Sequence, residues 1–152
     1  MKNILIIGAT GQIGSELTMK LRKEYPAGNV VCGYIKGAEP KGALLESGPA
    51  EEVDITSPQM IADAVEKYNI DTIYNLAALL SAVAESRPQL AWKIGVGGLY
   101  NCLEVSREKG CALFTPAPSA PLEKPPHTSR HRRTPSSVPT PFTASPKLPA
   151  RC

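Results

Sequence analysis

The densest chemical signal in the chain is Gly8-Ala-Thr-Gly11-Gln-Ile-Gly14, which follows the apolar run Asn3-Ile-Leu-Ile-Ile7. Glycines between a buried strand and a helix let the backbone turn tightly and come close to a pyrophosphate. The positive end of the helix then meets the phosphate charge. Gly8, Gly11 and Gly14 read GxxGxxG, where the common dinucleotide fingerprint is GxGxxG. Placed inside a strand-helix-strand unit, the loop is expected to bind a dinucleotide. The cysteines offer no comparable site. Cys32, Cys102, Cys111 and Cys152 form no CxxC pair and no metal-ligand spacing with His127 or His131, so no metal site is expected and the thiols read as free.

The elements that must position this loop follow from periodicity. Asn3–Ile7 is a strand buried on both faces, and Ser15–Tyr25 carries a helical apolar pattern that Pro26 and Gly28 stop. Asn29–Ile35 is a second strand and Glu52–Ile55 a short third. Thr56-Ser-Pro58 caps a helix that runs to about Tyr68. Asp71–Ala78 is a fourth strand, Pro88–Lys109 one long helix with Gly95, Gly97 and Gly98 inside it, and Cys111–Thr115 a fifth strand. Strands alternating with helices require right-handed crossovers, hence an α/β, Rossmann-like, doubly wound parallel sheet of about five strands. The fifth strand would be left exposed as an edge. Ile4–Ile7 is too short for a signal sequence or a membrane span, which points to a soluble cytoplasmic protein without a membrane partner.

Composition changes abruptly after Pro116. Residues 117–152 hold nine of the fifteen prolines and none of the twelve glycines. They carry a net charge of +5 against −2 for residues 1–116, so the overall +3 describes neither part. Only Leu122, Val138, Phe142 and Leu148 are large and apolar there. Too little apolar surface is available to offset ordering entropy, and a disordered tail is expected. Arg130-His-Arg-Arg133 lacks interleaved aromatics and reads as a solvated run, so no nucleic-acid partner is expected. Residues 1–116 are thus read as one incomplete domain and 117–152 as its tail.

Four segments in order give residues 1–116 a resemblance to the N-terminal half of the extended short-chain dehydrogenase/reductases, the NAD-dependent epimerase/dehydratase superfamily. They are Gly8–Gly14, Val53-Asp54-Ile55, Asn75-Leu-Ala-Ala78 and Gly98-Leu-Tyr-Asn101-Cys-Leu-Glu104. Val65–Asp71, Ala77–Ala82, Pro88–Lys93 and Leu113–Pro116 sharpen the resemblance toward the NAD-dependent L-threonine 3-dehydrogenases. The resemblance implies NAD as cofactor, L-threonine as small-molecule substrate, and homodimers for intact members. It assigns Gly8, Thr10, Gly11, Gln12, Ile13 and Gly14 to the pyrophosphate, with Gln12 and Ile13 as backbone donors. Asp54 would accept from the adenine amino group and Ile55 would cover the ring. Leu76, Ala77 and Ala78 would pass beneath the cofactor, Lys93 would reach a ribose, and Ser81 would contact substrate. Plainer roles stay open: a strand-end cap for Asp54, sheet-to-helix packing for Leu76–Ala78, an ordinary loop serine and a solvated lysine. So do two other identities, a nucleotide-sugar epimerase or dehydratase and a non-catalytic dinucleotide-binding module.

Three departures from that pattern stand out. Tyr34 occupies the position where an acid about 20 residues past the glycine loop would meet the ribose 2′-hydroxyl, and Lys36 close by suits a 2′-phosphate. NADP is therefore not excluded. Gly95 stands where the superfamily usually has an asparagine. The superfamily's proton chemistry needs a serine or threonine after the fifth strand and a Tyr-x-x-x-Lys beyond it. Ala117 and Pro118 follow Thr115-Pro116, and no tyrosine occurs after Tyr100, so no catalytic residue can be assigned. Pro, Ala, Thr and Ser make up 22 of the last 36 residues, the bias expected when a GC-rich gene is read one base out of frame. Shifted by one base, the codon junctions around Ala117–Glu123, beginning with Pro116/Ala117, permit Ser-Ser-Ile-Gly-Ala-Phe-Gly, and those of Phe142–Lys147 permit Tyr-Gly-Val-Thr-Lys. The tail is therefore expected to be an out-of-frame translation of the catalytic segment.

Overall fold

The computed structural model describes residues 2–79 and 81–116; the expectations for the tail, including His127, His131 and Cys152, lie outside these residues. Five strands form one sheet: β1 (Ile4–Ile7), β2 (Val30–Tyr34), β3 (Ala50–Glu52), β4 (Thr72–Asn75) and β5 (Ala112–Phe114). Their order is β3-β2-β1-β4-β5, and every pairing is parallel. This is the expected α/β, Rossmann-like arrangement. β1 lies at the centre because it is apolar on both faces, and Ile4, Leu5, Ile6 and Ile7 are all buried.

Strand pleating sorts the apolar residues into two cores. Leu5, Ile7, Val31 and Ile73 face α3 (Pro58–Lys67) and α6 (Gly98–Lys109), where they meet Ile61, Val65, Cys102 and Val105. Ile4, Ile6, Val30 and Cys32 face α1 (Gln12–Glu24) and the single turn α2 (Ala43–Glu46), meeting Leu21 and Leu44. α3 begins as its sequence dictates: the Ser57 hydroxyl accepts from the Met60 amide at 3.4 Å, and Pro58 fills the first turn.

Several boundaries differ from expectation. β3 ends at Glu52 rather than spanning Glu52–Ile55, because Val53 and Ile55 are buried against the α3 and α6 core after the ladder has ended. One ladder-like bond continues, from the Val53 amide to the Tyr34 carbonyl at 2.7 Å. The helix expected over Pro88–Lys109 is α5 (Pro88–Trp92), a π-helical turn at Lys93–Gly97, and α6. α2 and α4 (Ser81–Ser86) are additional short helices. β5 forms one edge of the sheet, with Phe114 half exposed and its ring 5.3 Å from that of Tyr74.

A buried cation braces the β2–β3 connection. Arg22 of α1 is 7% exposed and has no acid beside it among the described residues. Its Nε and Nη2 donate to the Val30 carbonyl at 3.1 Å each, and Nη2 also donates to Pro49 O at 2.6 Å. Nη1 donates to Leu44 O at 2.6 Å and to Ser47 Oγ at 2.8 Å. Burial lowers the guanidinium pKa, yet four bonds to carbonyls and one to the Ser47 hydroxyl keep the charge solvated. Gly48 completes the cage, since a Cβ there would stand 2.7 Å from Arg22 Nε. No helix among the described residues is long and apolar enough to cross a membrane.

Candidate dinucleotide-binding cleft

A cleft of about 250 Å³ opens at the carboxyl ends of β1, β2 and β4, where the strand order reverses. Ile7, Gly8, Thr10 and Gly11 form one wall, and Ile35, Val53, Asp54 and Ile55 a second. Leu76, Ala77, Ala78, Leu79 and Ile94 close the third. The lining is apolar apart from Thr10 and Asp54, and Asp54 alone carries charge.

The three glycines of the loop have different physical reasons. Gly8 sits at φ +81°, and a Cβ there would lie 2.9 Å from the Ala77 amide nitrogen. The turn is fixed from the other side, because the Gly33 carbonyl accepts from both Gly8 N (3.2 Å) and Ala9 N (3.0 Å). A Cβ on Gly14 would be 2.2 Å from the Gly8 carbonyl, so α1 can pack on the turn only if this residue is glycine. Gly11 has neither constraint. Its φ of −72° and ψ of 170° suit any residue, and a Cβ would meet only Gly8 O at 3.4 Å. Protein packing demands glycine at 8 and 14; at 11 the missing side chain leaves room beside the cleft.

Gly11 is also the N-cap of α1, and no side chain caps that helix. The first backbone N–H groups of a helix have no intrahelical partner. Gln12 and Ile13 follow directly and are exposed, and Gly14 is buried behind them. The helix therefore presents donors and a positive dipole end beside Gly8, Thr10 and Gly11. That combination fits a pyrophosphate.

Asp54 is held by its own turn: Oδ1 accepts from the Thr56 amide at 2.8 Å. Its other carboxylate oxygen has no protein partner among the described residues. Ile55 is 5% exposed and clamped from α6. Asn101 Nδ2 donates to the Ile55 carbonyl at 3.0 Å, and a Cβ on Gly98 would come within 2.8 Å of the Ile55 side chain. On the third wall, Asn75 Oδ1 accepts from the Ala77 amide at 3.1 Å, and Leu76 N donates to Ile7 O at 2.9 Å. These bonds carry the chain out of β4 at the angle that brings Ala77 against Gly8.

The cleft thus brings together Gly8, Thr10, Gly11, Asp54, Ile55, Leu76, Ala77 and Ala78, with Gln12, Ile13 and Gly14 on the adjoining first turn. Tyr34, Lys36 and Lys93 are outside its lining; each is the chain neighbour of a residue that does line it, Ile35 or Ile94. Ser81 is the first residue of α4, six residues past the end of β4. Ile7, Ile35, Val53, Leu79 and Ile94 were not expected in the lining, nor were Gly98 and Asn101 expected as clamps. Ile35 could have been found from the rule that ligands sit beyond the carboxyl ends of the strands. Among the described residues no three His, Cys, Asp or Glu side chains gather as a metal site.

Comparison with known proteins agrees with this geometry. The family model for the NAD dependent epimerase/dehydratase family matches residues 4–144. An uncharacterized epimerase/dehydratase of Staphylococcus saprophyticus is 42% identical over 140 residues, covering 88% of this chain and 43% of the relative. Among solved structures, an L-threonine dehydrogenase from Clostridium difficile is 49% identical with a TM-score of 0.70, covering 77% of this chain and 36% of that one. A GalE-like L-threonine dehydrogenase from Cupriavidus necator, in its holo form, is 38% identical with a TM-score of 0.67, covering 74% and 35%. The chain spans less than half the length of each of these proteins. A parallel sheet in this order, a glycine turn and a helix start facing one cleft, and a family match across most of the sequence lead to one conclusion: the chain belongs to the NAD dependent epimerase/dehydratase family.

Proposed function

We propose that residues 1–116 are the NAD-binding part of an L-threonine 3-dehydrogenase-like oxidoreductase. The observation that carries this is Gly11, a glycine the protein's own packing does not require, placed at an uncapped helix start on the cleft wall. Its bare backbone and the N–H groups of Gln12 and Ile13 would hold the pyrophosphate. Thr10 would add a hydroxyl beside them. The free oxygen of Asp54 would accept from the adenine amino group while Ile55, clamped by Asn101 and Gly98, would cover the ring. Leu76, Ala77 and Ala78 would form the floor, with Ser81 toward substrate and Lys93 toward a ribose. Bound NAD supplies a hydride acceptor, and the substrate would be a small hydroxy amino acid, L-threonine. Similarity to threonine dehydrogenases at 49% and 38% identity supports that choice of substrate.

On this reading the chain as it stands binds but does not turn over. It has no tyrosine after Tyr100 and no serine directly after Thr115-Pro116. The tail would be an out-of-frame product of the gene segment that encodes them. Thermal unfolding of the purified chain with and without NAD tests the binding claim, and a threonine-dependent absorbance assay for NADH tests the second. A cooperative melt shifted upward by NAD with no NADH formation is the expected pair. A melt insensitive to NAD sinks the binding claim, and threonine-dependent NADH sinks the inactivity.

A further inference from the structure

Between the cleft and α6 the chain makes an excursion that has no core of its own. It leaves the cleft wall at Leu79 and returns to it at Ile94. From 82 to 97 no residue is buried: Ala84, Ala91, Ile94 and Gly97 are half-buried and the rest are exposed. The segment is nonetheless helical, through α4, α5 and the π turn. Its hydrogen bonds stay local, with Arg87 N donating to Val83 O at 2.9 Å and Ala91 N to Arg87 O at 3.0 Å. Among the described residues no side-chain hydrogen bond or ion pair ties it to the sheet or to the other helices. Elements with so few buried contacts open at a free energy well below that of the whole domain.

The junction with the body is sharp. Gly98 is buried, and a Cβ there would stand 2.8 Å from the Ile55 side chain, so α6 is seated from its first residue. One turn earlier that restraint is gone. A π turn inside a helix is a point at which helices bend. Gly95 and Gly97 lie in this one, neither at positive φ, and a Cβ on either would meet nothing within 4 Å. Glycine there serves neither a left-handed turn nor a close contact, and in a helix interior it is less favourable than alanine. What the two glycines supply is backbone freedom, on either side of the chain segment that carries Ile94 into the cleft.

Building on the dinucleotide reading of the cleft, we infer that residues 82–97 are a hinged arm that opens and closes about the π turn while the rest of the domain stays folded, and that a dinucleotide in the cleft holds the arm closed through Ile94. A ligand shifts such an equilibrium only by contacting one state better than the other. Ile94 is the arm residue that lines the cleft, so the difference arises there: closed, its side chain covers ligand, and open it does not.

Trp92, the chain's one tryptophan, is 70% exposed on the arm and reports its motion. Hydrogen exchange of the full chain, with Trp92 fluorescence anisotropy and melting of the same sample, tests the inference. Without ligand, amides of 90–97 should exchange about 100-fold or more faster than those of 102–106 in α6. Saturating NAD should slow the arm by about threefold or more and raise the Trp92 anisotropy. Gly95→Ala combined with Gly97→Ala should slow the arm by about fivefold or more without NAD. Ile94→Ala should remove the slowing by NAD. Arm exchange as slow as that of 102–106, or unchanged by the two alanines, overturns the hinge. A melt raised by NAD with arm exchange unmoved, or a slowing that survives Ile94→Ala, overturns the coupling. A melt that NAD leaves unchanged fails the dinucleotide reading and takes the coupling with it, a result distinct from binding without closure.

Discussion

Alanine at Gly11 and alanine at Gly14 should have opposite consequences. At Gly14 the new Cβ would stand 2.2 Å from Gly8 O and 2.8 Å from Ala9 Cα, both backbone atoms of the turn that carries the cleft. Relief requires α1 to move by about 1 Å, and overpacking of a close backbone contact costs about 3 kcal/mol or more. For a domain of this size that is a Tm loss of about 10 °C or more. At Gly11 the backbone is already in a region alanine favours and the nearest contact is 3.4 Å. Restricting the unfolded chain contributes about 0.4–1 kcal/mol, and replacing glycine at an N-cap costs a similar amount. The net change in stability is within about 1 kcal/mol of zero. The methyl does occupy the space kept for a phosphate, so affinity for NAD should fall by about tenfold or more. Urea unfolding measures the first quantity and calorimetric titration the second. If Gly11→Ala destabilises as much as Gly14→Ala, or binds NAD as well as the unmodified chain, the argument that Gly11 is kept for a ligand is refuted.

Three further outcomes follow from the same contacts. Arg22→Met strands the Val30, Leu44 and Pro49 carbonyls and should cost about 3 kcal/mol or more in urea unfolding, because buried acceptors lose their partners together. Asn101→Ala removes the donor to Ile55 O and should weaken NAD binding by about fivefold while costing about 1 kcal/mol of stability, read by titration and melting of the same sample. Burial pushes the Cys102 thiol up to about 12 from an ordinary value near 9. With the folded value above the unfolded one, stability is fully present below pH 9 and falls as pH rises toward 12; Cys102→Ala should flatten that decline in a pH series of melts.

The elements that a reader of the sequence can place are those whose local signals agree with their packing. Ile4–Ile7 has β-branched residues on both faces and lies at the centre of the sheet. Ser57 and Pro58 start α3 as their types require. Where local and tertiary signals diverge, the reading slips. Val53 and Ile55 look like strand because they are apolar and alternate, yet they are buried by α3 and α6 beyond the end of β3. α2 is one turn long after Gly42, whose φ is +54°, and no apolar period can announce so short a piece. The π turn inside the long helix falls on Gly95 and Gly97, which have open space around them. Arg22 leaves no local trace either. On an amphipathic helix it looks like a solvated cation, and only the fold brings Val30, Leu44 and Pro49 around it.

The cleft was legible to a similar degree. Its glycine turn follows from spacing, because that backbone must come close to any ligand, whereas its Asp54-Ile55 corner is legible only through the resemblance to a known family. The supporting contacts follow from neither, since Asn101 reaches Ile55 across 46 residues of chain. Nor could spacing distinguish Gly11 from Gly14. That difference appears only once α1 is seated on Gly8 O.

The central claim is that this cleft holds a dinucleotide, and an amide-resolved NMR titration of the isotopically labelled chain with NAD tests it most directly. The account predicts saturable shifts confined to Gly8–Gly14, Asp54–Ile55, Leu76–Ala78 and the arm at 82–97, all of them lost in Gly11→Ala. Shifts elsewhere on the sheet, or none at saturating NAD, would contradict it.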